Sequence, residues 1–248
     1  MFRLLPFLLF TSLAVADTPS GVMTQAVKPL LRETFDDPAV LGKSWPHHYS
    51  DSMVADGKLI AKQTPGASHG AVLETLVDFQ DVLIRFDFTF DGSTSFNVPI
   101  DDKKHKGSHA GHICRLSFSP TSLLLGDDKE GIMRNDLFEA RRSDDPAKKS
   151  AAEEELKGRS VRLPFSFKKG ETHAVTLEIL GDEMVVSING KPAGYLKSPG
   201  LAHGTKTDFG FTVNGQSVII DDVEVWTVEE NPGWKNQREA IAKLSQAK

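Results

Sequence analysis

The stretch VLIRFDFTF, residues 82–90, alternates strictly. Ile84, Phe86, Phe88 and Phe90 fall on one face, and Arg85, Asp87 and Thr89 on the other. A period of two residues belongs to a strand with one face buried and one face wet. The pattern returns in TSFNVPID (94–101), with Phe96, Val98 and Ile100 inward and Ser95, Asn97 and Asp101 outward, and again in HICRLSFS (112–119). Asp56-Gly57 reads as a hairpin turn, Gly181-Asp182 and Asn189-Gly190 punctuate a meander, and Asn214-Gly215 separates two closing strands. Short strands with turn residues between them predict an all-β sandwich or barrel. Two helices join it. One, over 144–159, is a surface helix with Asp144 as its cap, Pro146 in its first turn and Gly158 at its end. The other, over 233–246, is C-terminal.

The first 16 residues have the form of a secretory signal peptide: Arg3, an apolar run from Leu4 to Leu13, and Ala14-Val15-Ala16 before Asp17. Export to the periplasm or the medium is therefore expected. Residues 17–30 read as a linker, 31–228 as one domain and 229–248 as a helical tail. No later apolar run approaches the roughly 18 residues that a membrane span needs. Cys114 is the only cysteine, so no internal disulfide is expected. A net charge of −5 argues against a nucleic-acid partner, which would want a basic face.

The outward residues of the alternating strands are the first candidates for a ligand surface. Arg85, Asp87, Asn97 and Arg115 are suited to polar ligands, sugars especially, if their strands share one face; the alternative is a plain solvated surface. The segment HKGSHAGHICR (105–115) adds histidines. His105, His109 and His112 would converge on a metal only from a helix, and Gly107, Ser108 and Gly111 argue against one, so no metal ligands are assigned. Strand parity from His112 puts His112, Cys114, Leu116 and Phe118 on the core face, with His112 bonded to backbone at the core edge. Arg115 then faces outward, either to grip sugar hydroxyls or a carboxylate such as Glu139, or as a structural ion pair. His109 lies in a loop free to enter a cleft. Asp127, Asp128 and Glu130 form either a calcium loop or an acidic turn. Trp45 is either a stacking platform or a core plug.

The stretches ETFDD (33–37), VADGKLI (54–60), ETHAVTLEILGDEMVVSINGKPAG (171–194) and KTDFGFTVNGQSVIIDDVEVW (206–226) resemble the concanavalin A-like lectin/glucanase jelly roll. Within it they are most similar to the bacterial 3-keto-disaccharide hydrolase family, over residues 31–228. That family shows Asn-Ser-Gly-Ile-x-x-Arg, which here is His109 to Arg115 with Gly111 and Arg115 kept. It also shows Tyr-Glu-x-Gln-x-x-Asp, which here is Phe138 to Asp144 with Glu139 and Asp144 kept. The glucanase pattern Glu-x-Asp-x-x-Glu is absent. The resemblance implies a jelly-roll sandwich of two antiparallel sheets. It also implies hydrolase or lyase action on a 3-keto-disaccharide or related glycoside.

In that reading Glu139 or His109 is the base, Arg115 stabilises the enediolate, and Arg85, Asp87, Asn97, Arg115 and Asp144 hold the substrate. A divalent metal such as calcium is an optional stabiliser in place of Arg115. A non-catalytic lectin-like glycan-binding module is the second reading. An envelope interaction protein docking through its C-terminal helix is the third.

Overall fold

Residues 82–101 form one strand in the computed structural model, which describes residues 18–245. In chain order the strands are β1 (Thr24–Glu33), β2 (His47–His48), β3 (Met53–Ala55), β4 (Lys58–Ala61), β5 (Ala71–Phe79), β6 (Val82–Asp101), β7 (His112–Ser119) and β8 (Ser122–Asp127). Helices α1 (Asn135–Arg142) and α2 (Pro146–Glu155) come next, then β9 (Ser160–Pro164), β10 (Thr172–Leu180), β11 (Glu183–Ile188), β12 (Lys191–Lys197), β13 (Lys206–Glu230) and helix α3 (Trp234–Ala242).

The neighbours of β6 change along its length. Its first half pairs with β10 and with the second half of β13, while its second half pairs with β7 and with the first half of β13. Phe88 and Phe96 explain the change. In a straight strand, eight residues span roughly 26 Å, yet these two rings lie 4.8 Å apart. The strand therefore folds over on itself at Gly92, whose φ is +100°, a conformation that a side chain would strain. Opposite it, β13 loses register around Asn214, Gly215 and Ser217.

Two layers result, face to face. The front layer runs β9-β8-β7-β6-β13-β5-β2, and the back layer runs β12-β11-β10-β6-β13, bordered by β1 and by the β4-β3 hairpin. All these pairings are antiparallel, so the protein is a jelly-roll β-sandwich.

The core lies between the layers. Phe86, Phe88, Phe96, Phe118, Phe209 and Phe211 are almost fully buried there. Each contributes about 1.5–3 kcal/mol by leaving water. Trp45 is buried among them, stacked on Phe211 at 5.8 Å and 17°, so it is a core plug.

Several boundaries differ from the sequence reading. Residues 24–30, expected to be linker, belong to β1, whose partner is the end of β13. Asn214-Gly215 is a bend within one strand, since both flanking segments keep β6 as partner. The surface helix starts one residue later, with Asp145 as its cap accepting from the Ala147 N–H. Helix α1, which covers Phe138 to Arg142, was not foreseen. The expected signal peptide, residues 1–16, lies outside the described residues. Helix α3 packs on its own domain, with Trp234 buried against Met23, Val185 and Tyr195.

The N-terminal arm is held by one carboxylate. Glu178, fully buried on β10, accepts from the Val22, Met23 and Thr24 N–H groups and the Thr24 hydroxyl at 2.7–3.0 Å. Replacing it leaves those donors buried and unpaired. We expect Glu178→Ala to cost about 3 kcal/mol in urea unfolding. Amide exchange should rise at residues 22–24, and Glu178→Gln should recover part of the loss.

Candidate functional site

The outward face of the front layer carries a cleft of about 620 Å³. Its floor is built from alternate residues of adjacent strands: Glu74 on β5, Thr212 on β13, Asn97 and Asp101 on β6, and His112 and Arg115 on β7. Tyr49 and His69 form one wall, with ring centroids 5.5 Å apart. His109 and Phe138 form the other, stacked at 4.3 Å and 10°. The cleft thus has a polar floor between aromatic walls.

His112 does not follow the expected parity. The register steps from Ile100↔Cys114 to Asp101↔His112, so Ile113 is an extra residue in β7. This bulge leaves Ile113 and Cys114 both buried and turns His112 to the face of Arg115. His112 therefore lines the cleft, and its Nδ1 pairs with Asp101 Oδ1 at 2.7 Å and not with backbone. Cys114 is a buried small hydrophobe whose thiol pKa is pushed up by burial.

Arg115 is held from below. Its Nε donates to Asp128 Oδ2 at 2.6 Å, and Asp128 is wholly buried. Burial pushes the Asp128 pKa up, and the guanidinium opposes that rise. Arg115 Nη2 and Asp128 Oδ1 are buried without a hydrogen-bond partner. Arg115's carboxylate partner is thus Asp128, where the sequence had suggested Glu139.

The remaining nominated residues separate. His109 lines the cleft, placed there by its N–H to Met133 O at 2.7 Å and by the turn at Gly111. Gly111 has φ +82°, and a Cβ there would lie 2.3 Å from Asp102 O, so the turn requires glycine. Asn97 is in the cleft. Arg85 and Asp87 are on the back layer, in a separate depression of about 360 Å³ with Arg32, Asp222 and Glu224. They precede the fold-over of β6 and so face away from Asn97 and Arg115. Glu139 and Asp144 are exposed, on α1 and just beyond it, and neither lines the cleft.

The three histidines of segment 105–115 point to different partners. His105 packs on His203 at 5.1 Å, His109 on Phe138, and His112 on Asp101. Asp127 and Asp128 do not fit a calcium ion. Asp127 accepts from Glu130 N–H, Ser198 Oγ and Gly200 N–H, and Asp128 faces Arg115. Carboxylates do converge at the cleft's end, where oxygens of Glu74, Asp101 and Asp208 lie within 4.8 Å of one another. The Lys103 ammonium already serves that group, at 3.0 Å from both Glu74 and Asp208.

No family model and no curated protein sequence matches the chain. Solved structures do. A protein of unknown function with a galectin-like fold from Bacillus subtilis aligns at 14% identity over 84% of this chain and 100% of that one, with a TM-score of 0.54. A non-specific endo-β-1,3(4)-glucanase from family GH16 aligns at 12% identity over 83% and 95%, with a TM-score of 0.55. A laminarinase from Flavobacterium sp. UMI-01 aligns at 11% identity over 81% and 100%, with a TM-score of 0.55. The shared feature is the jelly-roll fold.

Lys103 generates a pH prediction. Burial opposes its charge, but Asp208 and Glu74 outweigh burial and raise its pKa. The pairing is therefore intact at neutral pH and is lost as pH rises through the raised lysine value. Burial raises the Asp208 pKa, so acid also removes the pairing, by protonating Asp208 from above the usual carboxylate range. Because Lys103 is partly exposed, Lys103→Met should cost only about 1 kcal/mol at pH 7. In urea titrations across pH, that deficit should shrink as pH falls through the Asp208 transition.

Proposed function

We propose that the protein is an exported carbohydrate-active protein and that the cleft on the front layer takes a glycoside. One observation carries this reading: aromatic walls flank a floor that holds the His112–Asp101 pair beside Arg115. Rings stack on sugar faces, and the floor supplies directional hydrogen bonds. The jelly-roll likeness to glucanases adds support at the level of fold alone.

The finer reading is cleavage of a 3-keto-disaccharide or related glycoside. A ketone acidifies the C–H between it and the anomeric carbon. His112 takes that proton, with Asp101 fixing the imidazole through Nδ1. The electron pair forms an enediolate, whose oxygen accepts a hydrogen bond from the Arg115 side chain. Collapse of the enediolate expels the aglycone oxygen, which takes the proton held by His112. Water then adds at the anomeric carbon and the ring carbon is reprotonated, for net hydrolysis. His109 stacks at the wall, and Asn97 binds hydroxyls. Glu139 and Asp144 have no part in this version because they lie outside the cleft.

Tyr49 supports a second reading. It is 57% exposed at the rim and paired with His69, a stacking surface that suits a lectin-like module without turnover.

The test is sugar release from native and 3-keto disaccharides, with and without a chelator. Release from the keto substrate alone is expected. His112→Ala should lower it by about 100-fold or more, and Glu139→Gln should stay near wild type. Chelator sensitivity would assign the stabilising role to a divalent cation. Activity that survives His112→Ala and vanishes in Glu139→Gln would return the base to Glu139. Saturable binding without release would select the lectin-like reading.

A further inference from the structure

The charges around the cleft are arranged in pairs. The carboxyl and guanidinium side chains lining it are Glu74, Asp101 and Arg115. Two have a counter-charge, Lys103 beside Glu74 and Asp128 beneath Arg115, and Asp101 is hydrogen-bonded to His112. The Arg115 guanidinium keeps its charge at any ordinary pH. Its field towards the cleft is offset by a carboxylate 2.6 Å from its Nε and wholly buried. What the cleft keeps of Arg115 is hydrogen-bonding capacity, since the side chain lines the cleft and is 15% exposed there, while Asp128 engages only its Nε.

Asp208 tips the balance further. It is buried and shares Lys103 with Glu74. The carboxyl groups Glu74, Asp101, Asp128 and Asp208 thus stand against two permanent cations, Arg115 and Lys103. Arg142, over the Phe138 ring at 5.0 Å, adds an exposed and solvent-screened third. An acidic ligand entering the cleft meets an excess of negative charge, with no free cation at the floor, among the described residues, to hold it.

We infer that Asp128 cancels Arg115 as a positive charge while leaving it a hydrogen-bond donor, so that the cleft selects uncharged saccharides and rejects acidic ones. This rests on the reading of the cleft as a saccharide site. Asp128 is then a specificity-determining residue acting through Arg115.

Calorimetric titration of the purified protein tests it, using neutral gluco-oligosaccharides against uronic-acid oligosaccharides of equal length. The work is done at pH 8 to keep imidazole charge out of the comparison. The wild type should bind the neutral series at least about tenfold more tightly, and the gap should narrow as sodium chloride screens the repulsion. Asp128→Asn, checked for folding by circular dichroism, should narrow the gap by strengthening the acidic series. A purely structural role would weaken both series alike and leave the ratio unchanged, which would overturn the assignment to Asp128. Equal or tighter wild-type binding of the acidic series would overturn the inference and leave the saccharide reading standing. Binding of neither series would overturn both. If Asp128→Asn does not fold, the wild-type ratio and its salt dependence still decide.

Discussion

The fold-over of β6 and β13 is the constraint on which the rest depends. Both strands serve both layers, so the core aromatics of each half meet face to face, as Phe88 and Phe96 do. Inward residues from one strand therefore close a single core. Outward residues from the same strand point to opposite sides of the molecule. Arg85 and Asn97, twelve positions apart with the same outward parity, end on different surfaces for this reason alone.

A second irregularity composes the cleft. The bulge at Ile113 shifts His112 across the sheet, from the core side to the side of Arg115. Asp101, across the ladder, then meets its imidazole. The next residue, Asp102, binds His203 and the Lys104 N–H, which anchors the loop that carries His109. One Asp-Asp step thus ties the cleft floor to the cleft wall. Buried carboxylates are tolerated here because Asp208 and Asp128 each have a cationic partner at ion-pair distance and Asp101 is hydrogen-bonded to His112.

The fold was legible because its signal is local. Alternation at Ile84, Phe86, Phe88 and Phe90 follows from burial on one face, and turn pairs such as Asp56-Gly57 carry their own backbone preference, with both residues at positive φ. The site was legible only in part. Strand parity and loop position singled out Arg115, His109 and Asn97, which line the front cleft. Asp101 and His112 were missed as a pair because a bulge has no local signature beyond an apolar Ile113 at an outward position. Arg85 and Asp87 were grouped with Asn97 because nothing local marks a strand that changes layers, apart from Gly92. Glu139 and Asp144 came from motif likeness, and an unforeseen helix α1 places them in solvent.

Backbone amide shifts recorded while a neutral oligosaccharide is titrated into the labelled protein decide whether the ligand surface lies on the front layer. Shifts centred on Tyr49, Asn97, His109, His112 and Arg115 are expected, with Arg85 and Asp87 unmoved. Shifts centred on Arg85, Asp87 and Glu224, with the front cleft silent, would contradict it.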